Sequence, residues 1–176
     1  MNKTTCVLYS PISTSSGYGS CGRNFAKSLI ELKGKEWDIK IISCNWGNTP
    51  KNFLEENEEW TFLKQYIIPM PLQFRPDIWI MHTIPGEFQA IGKYNIGLTP
   101  AIETTIAAGE WIEGCEKMDL VLCSSNHSYN VLKQSKYEKK NPQTHQPEGK
   151  VEWTKKGEVL FEGIDTEIFK PLEWID

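Results

Sequence analysis

The chain has 176 residues, 39% of them hydrophobic and 24% charged, which supports a core burying about 70% of the unfolded surface and excludes an intrinsically disordered chain. Its 19 basic and 23 acidic side chains leave a net charge of -4 with only two arginines, Arg23 and Arg75, so the clustered basic footprint that nucleic acid needs is missing. The five cysteines make no C-x-x-C pair, the three histidines are far apart, and no long apolar run follows a charged N-terminus; we therefore expect no metal, no membrane span and a reducing, cytoplasmic setting.

The apolar run Cys6-Val7-Leu8-Tyr9-Ser10 predicts a buried first strand that ends at Pro11 and a Ser/Gly cluster. From Arg23, apolar residues at Phe25, Ala26, Leu29, Ile30 and Leu32 predict an amphipathic helix that stops near Gly34. A second strand follows over 38–44. Residues 49–66 are loosely helical in spacing, with Pro50 suited to a first turn, and Ile67-Ile68-Pro69 suits a short edge strand. The stronger strand Ile78-Trp79-Ile80-Met81-His82 ends before Pro85-Gly86. Strands over 95–99, 119–123 and 158–161 and helices from Thr105 and from Ser124, Ser125 or Asn126 complete the series. The polar stretch 136–149 reads as a surface excursion, and the lysines of 133–140 as solvated.

Short apolar strands alternating with amphipathic helices predict one α/β domain over 1–176: a Rossmann-like, doubly wound, mostly parallel sheet covered on both faces. In such sheets ligands collect at the carboxyl ends of the strands, here the loops after Ser10, Cys44, His82 and Thr99.

Gly17-Tyr18-Gly19-Ser20-Cys21-Gly22 matches G-x-G-x-x-G between a strand and a helix. Two details oppose a dinucleotide: the strand does not run directly into the first glycine, and the second strand ends in Ser43-Cys44-Asn45, without an acidic residue for a ribose. No cofactor is expected. A flexible loop remains, with backbone N–H groups at a helix N-terminus and Arg23 on the first turn, where a phosphate or sugar hydroxyl can bind through Gly17, Tyr18, Gly19 and Arg23. The competing explanation is that the glycines only let the helix pack closely on the sheet.

Four segments stand in order: the Gly17/Gly19 loop leading to Arg23; Arg75-Pro76-Asp77 running into Ile78-Trp79-Ile80-Met81-His82; Glu103, Trp111 and the stretch from Cys115 to Ser125; and Glu162-Gly163-Ile164-Asp165 followed by Phe169-Lys170-Pro171. In this order they resemble the N-terminal half of retaining glycosyltransferases of family 4. The last also has a physical reading, with Gly163 taking a positive-φ turn and Asp165 capping a short helical turn.

The resemblance implies a two-domain, type B architecture that transfers a sugar from a nucleotide-sugar donor to an acceptor hydroxyl with retention, without a metal. It points to His82 and Glu103 as catalytic residues, and Glu87 is a loop carboxylate suited to shaping the acceptor pocket. The family's second domain binds the donor and carries an E-x7-E pair, a spacing absent from these 176 residues. The chain is accordingly expected to be incomplete as a catalyst, its donor half excised or supplied by a donor-domain chain or another copy. Two other classes stay open: a non-catalytic sugar- or nucleotide-binding module, and an interaction domain completed by a partner. For His82 the alternative role is a strand cap, for Glu103 a helix N-terminal carboxylate, and Ser124 and Ser125 read as caps.

Overall fold

The computed structural model describes residues 3–101, 103–141, 143–164, 166 and 169–171. In chain order the strands are β1 (Thr4–Ser10), β2 (Trp37–Ser43), β3 (Ile78–His82), β4 (Tyr94–Thr99), β5 (Leu120–Cys123), β6 (Tyr137–Lys140), β7 (Pro147–Val151) and β8 (Lys156–Val159). The helices are α1 (Gly17–Lys33), α2 (Phe53–Glu56), α3 (Gly109–Lys117) and α4 (Asn126–Gln134). Six strands form one all-parallel sheet in the order β2-β1-β3-β4-β5-β8, and β6 and β7 form a separate antiparallel hairpin. This is the α/β, Rossmann-like sheet that the sequence predicts.

Both faces are buried because the strands are apolar at successive positions rather than at alternate ones. Leu8, Ile41 and Ile80 pack with Ala26 of α1 and with Leu54 and Leu63 on one face. Val7, Trp79, Met81 and Val121 pack with Phe88, with Ile112 and Cys115 of α3, and with Leu132 of α4 on the other. Gly114 lets α3 lie against the turn at Pro85–Glu87, since a Cβ there would stand 1.8 Å from the Pro85 carbonyl oxygen.

The carboxylates at the amino ends of the strands are consumed in tying neighbours together. Asp77 Oδ2 accepts from Thr5 N and Thr5 Oγ1, Asp77 Oδ1 accepts from Lys93 Nζ at 2.7 Å, and Asp77 N donates to Thr5 Oγ1. Arg75 Nη2 donates to Gly92 O. Asp119 Oδ2 accepts from Asn95 N and Nδ2, joining β5 to β4. Much of the Arg75-Pro76-Asp77 motif is therefore a clasp at the edge remote from the expected ligand side.

Several expected elements differ in extent. Helix α1 begins at Gly17, six residues before Arg23, because Ser16 caps it by accepting from Gly19 N at 2.9 Å. The helix expected over 49–66 is a single turn, α2, and a 3-10 helix over Glu58–Tyr66, parted at Asn57, whose backbone is extended. The edge strand expected at 67–69 shrinks to one parallel bridge between Ile67 and Ile41. Helix α3 starts at Gly109, leaving Ile106 exposed. The excursion over 136–149 is largely the β6–β7 hairpin, anchored by Tyr137 and Val151 against the core. The last strand lies two residues earlier than expected, with Leu160 and Phe161 exposed beyond it. The capping role expected of Asp165 falls outside the described residues.

Candidate functional site

The strand order reverses between β1 and β3, since β2 lies outside β1 on one side while β3, β4 and β5 run outward on the other. Such a switch point opens a crevice beyond the carboxyl ends of the two central strands. Those ends are Ser10 and His82. Both side chains are fully buried, and a 3.0 Å hydrogen bond joins Ser10 Oγ to His82 Nδ1. Gly22 of α1 makes room for the pair, as a Cβ there would stand 2.1 Å from Ser10 Oγ and 3.2 Å from His82 Nδ1. Burial pushes the His82 imidazole down to about 4, so the ring is neutral at pH 7. Its second nitrogen, Nε2, has no hydrogen-bond partner among the described residues.

Tyr18, in the first turn of α1, stacks on the His82 ring with centroids 5.1 Å apart and planes 23° from parallel. Trp46, in the loop after β2, stacks on Tyr18 in turn at 3.9 Å and 24°. Burial raises the Tyr18 phenol; the nearby Thr99 hydroxyl acts the other way, and Glu103 and Glu87 add to the rise. Glu87 and Glu103 are exposed, and neither carboxylate has a hydrogen bond or ion pair among the described residues.

The Glu103 loop is held from α4. Ser124 Oγ and Ser128 Oγ donate to Pro100 O, Ser125 caps the helix by accepting from Ser128 N, and His127 Nε2 lies 3.1 Å from Thr104 O. Within this loop Ala101 sits at φ 62°, a left-handed conformation costly for a residue with a Cβ and typical of functional segments. Glu87 lines a cleft of about 350 Å³ with Tyr9, Cys44, Met81 and Lys117, on the sheet face opposite the Ser10 and His82 side chains.

No protein-family model, curated protein or solved structure matches this chain. The site therefore rests on its own geometry. No helix among the described residues is long and apolar enough to cross a membrane, and no cluster of three or more His, Cys, Asp or Glu suited to a metal occurs among them.

The glycine segment is not the loop that its composition predicts. Gly17, Tyr18 and Gly19 are helical, and Gly19 is buried against the turn before it, where a Cβ would lie 2.3 Å from Thr14 O. The hydroxyls of this turn serve one another, with Thr14 Oγ1 bonded to Pro11 O and to Ser16 Oγ, and Ser43 Oγ to Ser13 Oγ.

Arg23 is on the second turn of α1 and 4% exposed; its Nη1 donates to Ile12 O and Thr14 O at 2.8 Å, and its guanidinium lies 3.5 Å over the Phe53 ring. Burial lowers it to about 10, still charged at neutral pH. This placement makes Arg23 a brace for the turn rather than an open anion ligand. Arg23→Met is expected to leave two buried carbonyls short of a donor and to cost about 2 kcal/mol in urea unfolding; a loss below about 0.5 kcal/mol would show that the brace is dispensable.

Sequence reasoning did not single out Ser10 or Ser128, and it reached Trp46 only through the candidate loop after Cys44. The signals were Ser10 at the carboxyl end of a central strand and Trp46 in the loop after the next; Ser128, which is hidden within a helix, gave none.

Proposed function

We propose that the chain is the acceptor-side domain of a family 4-like retaining glycosyltransferase, placing an acceptor hydroxyl beside the anomeric carbon of a nucleotide sugar. The observation that carries this reading is His82, a neutral imidazole with one ring nitrogen fixed by Ser10 and the other unpaired, at the switch point of the sheet. A neutral ring hydrogen-bonds a sugar hydroxyl without adding charge. Glu103, on the loop after β4, supplies a carboxylate that accepts from a further hydroxyl and is the group available as a base, while Glu87, after β3, borders the cleft on the other face of the sheet. Rate enhancement in this reading comes from positioning, with the nucleotide sugar bound by a donor domain. The free, mostly buried cysteines support a reducing, cytoplasmic location.

The test is sugar transfer from a panel of labelled nucleotide sugars to a broad set of glycoside acceptors, by this chain alone and joined to a donor-binding domain. We expect transfer by the joined form, lost at least 100-fold in His82→Ala. Joined forms inactive on every acceptor would refute the enzyme reading.

A second reading, a domain completed by a partner chain, is favoured by Leu160, Phe161, Ile164 and Phe169, which are 43 to 68% exposed beyond the sheet-edge strand β8. It predicts a stable oligomer in sedimentation and no response to sugars.

A further inference from the structure

Four buried polar side-chain atoms make no hydrogen bond among the described residues: His82 Nε2, Trp79 Nε1, Trp153 Nε1 and Tyr18 Oη, which lies near the Thr99 hydroxyl without hydrogen-bond geometry to it. The two indoles belong to the core cluster on the α3 side of the sheet. The other two belong to stacked rings at the carboxyl edge of the sheet, beneath Trp46. A buried group without a partner is costly, and at the ligand edge of a sheet a bound hydroxyl or water is one way to satisfy it. The stack itself does not need the hydroxyl, because phenylalanine would cover His82 with the same ring.

Two further observations concern the backbone beside the stack and the ring beneath it. Tyr18 is preceded by Gly17, and Trp46 is followed by Gly47; a Cβ on either glycine would meet no atom within 4 Å. Neither glycine is therefore required by packing. Gly47 serves a turn at φ 51°, while Gly17, at the exposed first position of α1, has no steric reason to be glycine and gives Tyr18 backbone freedom. Ser10 meanwhile fixes the imidazole from the opposite nitrogen, so His82 stays in place when its cover moves.

We propose that Tyr18 and His82 form a closed binding site for a polyol: Tyr18 and Trp46 lift from the imidazole, and neighbouring hydroxyls of one ligand satisfy His82 Nε2 and Tyr18 Oη together. A hydroxyl both donates and accepts, so it matches either tautomer of the ring and either role of the phenol. Trp46, half-buried at the outside of the stack, supplies a flat face for the carbon skeleton of the same ligand. The inference rests on the sugar-binding reading of this site and deepens it, making Tyr18 a specificity residue and the acceptor a molecule with adjacent free hydroxyls.

The test uses the chain as it is, without a donor. Methyl mannoside, methyl glucoside, methyl galactoside and myo-inositol are titrated at millimolar concentrations while the His82 imidazole nitrogens and the Trp46 indole N–H are followed by NMR; single-deoxy analogues are then compared. We expect at least one polyol to shift both residues, and its deoxy analogue lacking one of the paired hydroxyls to bind about 10-fold more weakly.

Tyr18→Phe is expected to raise Tm by about 3 °C, since it removes the orphaned hydroxyl, and to weaken the same polyol about 10-fold. A hydroxyl with a merely structural role would lower Tm on removal and leave binding unchanged. The proposal is overturned if no polyol moves the His82 and Trp46 signals, or if Tyr18→Phe keeps full affinity. Because no transfer is measured, polyol binding in a chain whose joined form transfers nothing would refute the transferase reading and leave this site standing.

Discussion

Replacing Gly22 by alanine is expected to destabilise the protein by about 3 kcal/mol and to disturb the candidate site at the same time. The new Cβ would lie 2.1 Å from Ser10 Oγ and 3.2 Å from His82 Nδ1. Relief can come in two ways, and both cost stability. If Ser10 rotates, the 3.0 Å bond to His82 breaks and a fully buried imidazole nitrogen loses its partner. If α1 moves outward instead, Ala26 withdraws from its packing against Leu8 and Ile80.

Urea unfolding of the wild type, Gly22→Ala, Ser10→Gly and the double variant separates the two routes. With the serine side chain gone the alanine has space, so the double variant should be less destabilised than the sum of the singles by at least 1 kcal/mol. Additive losses, or a single-variant loss below about 1 kcal/mol, would mean that the helix does not press on the Ser10 and His82 pair. The third glycine of the G-x-G-x-x-G pattern thereby has a reason that involves no cofactor: it is the contact point of helix and strands.

Acid should unfold the protein through His82 before it does so through the clasp at Asp77. Burial lowers the imidazole from 6.5 to about 4, with no charged neighbour contributing. The unfolded chain therefore binds a proton between these values that the folded chain does not. Stability is complete above about pH 6.5, falls by about 1.4 kcal/mol per unit as pH drops, and levels off near pH 4 after a total loss of about 3 kcal/mol.

Asp77 acts in a separate window. Lys93 and the two Thr5 donors lower its carboxyl from 3.8 to about 2, so its contribution is present above about pH 4 and is lost on further acidification. Urea midpoints measured from pH 7.5 to 4 for the wild type and for His82→Gln should show the steep limb in the first and a nearly flat one in the second. Equal slopes would place the acid sensitivity elsewhere.

The strands were legible because each is a short apolar run between turn residues, and a sheet buried on both faces leaves no other use for Cys6-Val7-Leu8 or Ile78-Trp79-Ile80-Met81. The boundary of α1 was not, because its first turn is written in glycine, serine and tyrosine; only the Ser16 side chain reaching Gly19 N turns those residues into helix. The hairpin was hidden by its polarity, with Tyr137 and Val151 alone to reveal an inward face.

Within the site, His82 and Glu103 could be singled out from their places after strands. The stack of Trp46 on Tyr18 on His82 could not, since it joins residues far apart in sequence that meet only because β1 lies between β2 and β3. Arg23 illustrates the opposite limit. Its charge and its place after a glycine pattern suggest an anion, but a turn whose carbonyls at Ile12 and Thr14 point inward takes its donors first.

The cysteines give the molecule an internal clock. Burial lifts the thiols of Cys6, Cys21 and Cys123 to about 12 and that of Cys44 to about 11, and raises Cys115 as well. Alkylating reagents attack the thiolate, so in the native state all five thiols are chemically silent, and all but the half-buried Cys21 are also sheltered. A cysteine becomes reactive when its own element opens: Cys6 reports on β1, Cys21 on α1, Cys115 on α3 and Cys123 on β5. Mass-resolved alkylation rates, read cysteine by cysteine, would therefore trace which parts of the sheet breathe separately and which part only as the whole fold comes undone.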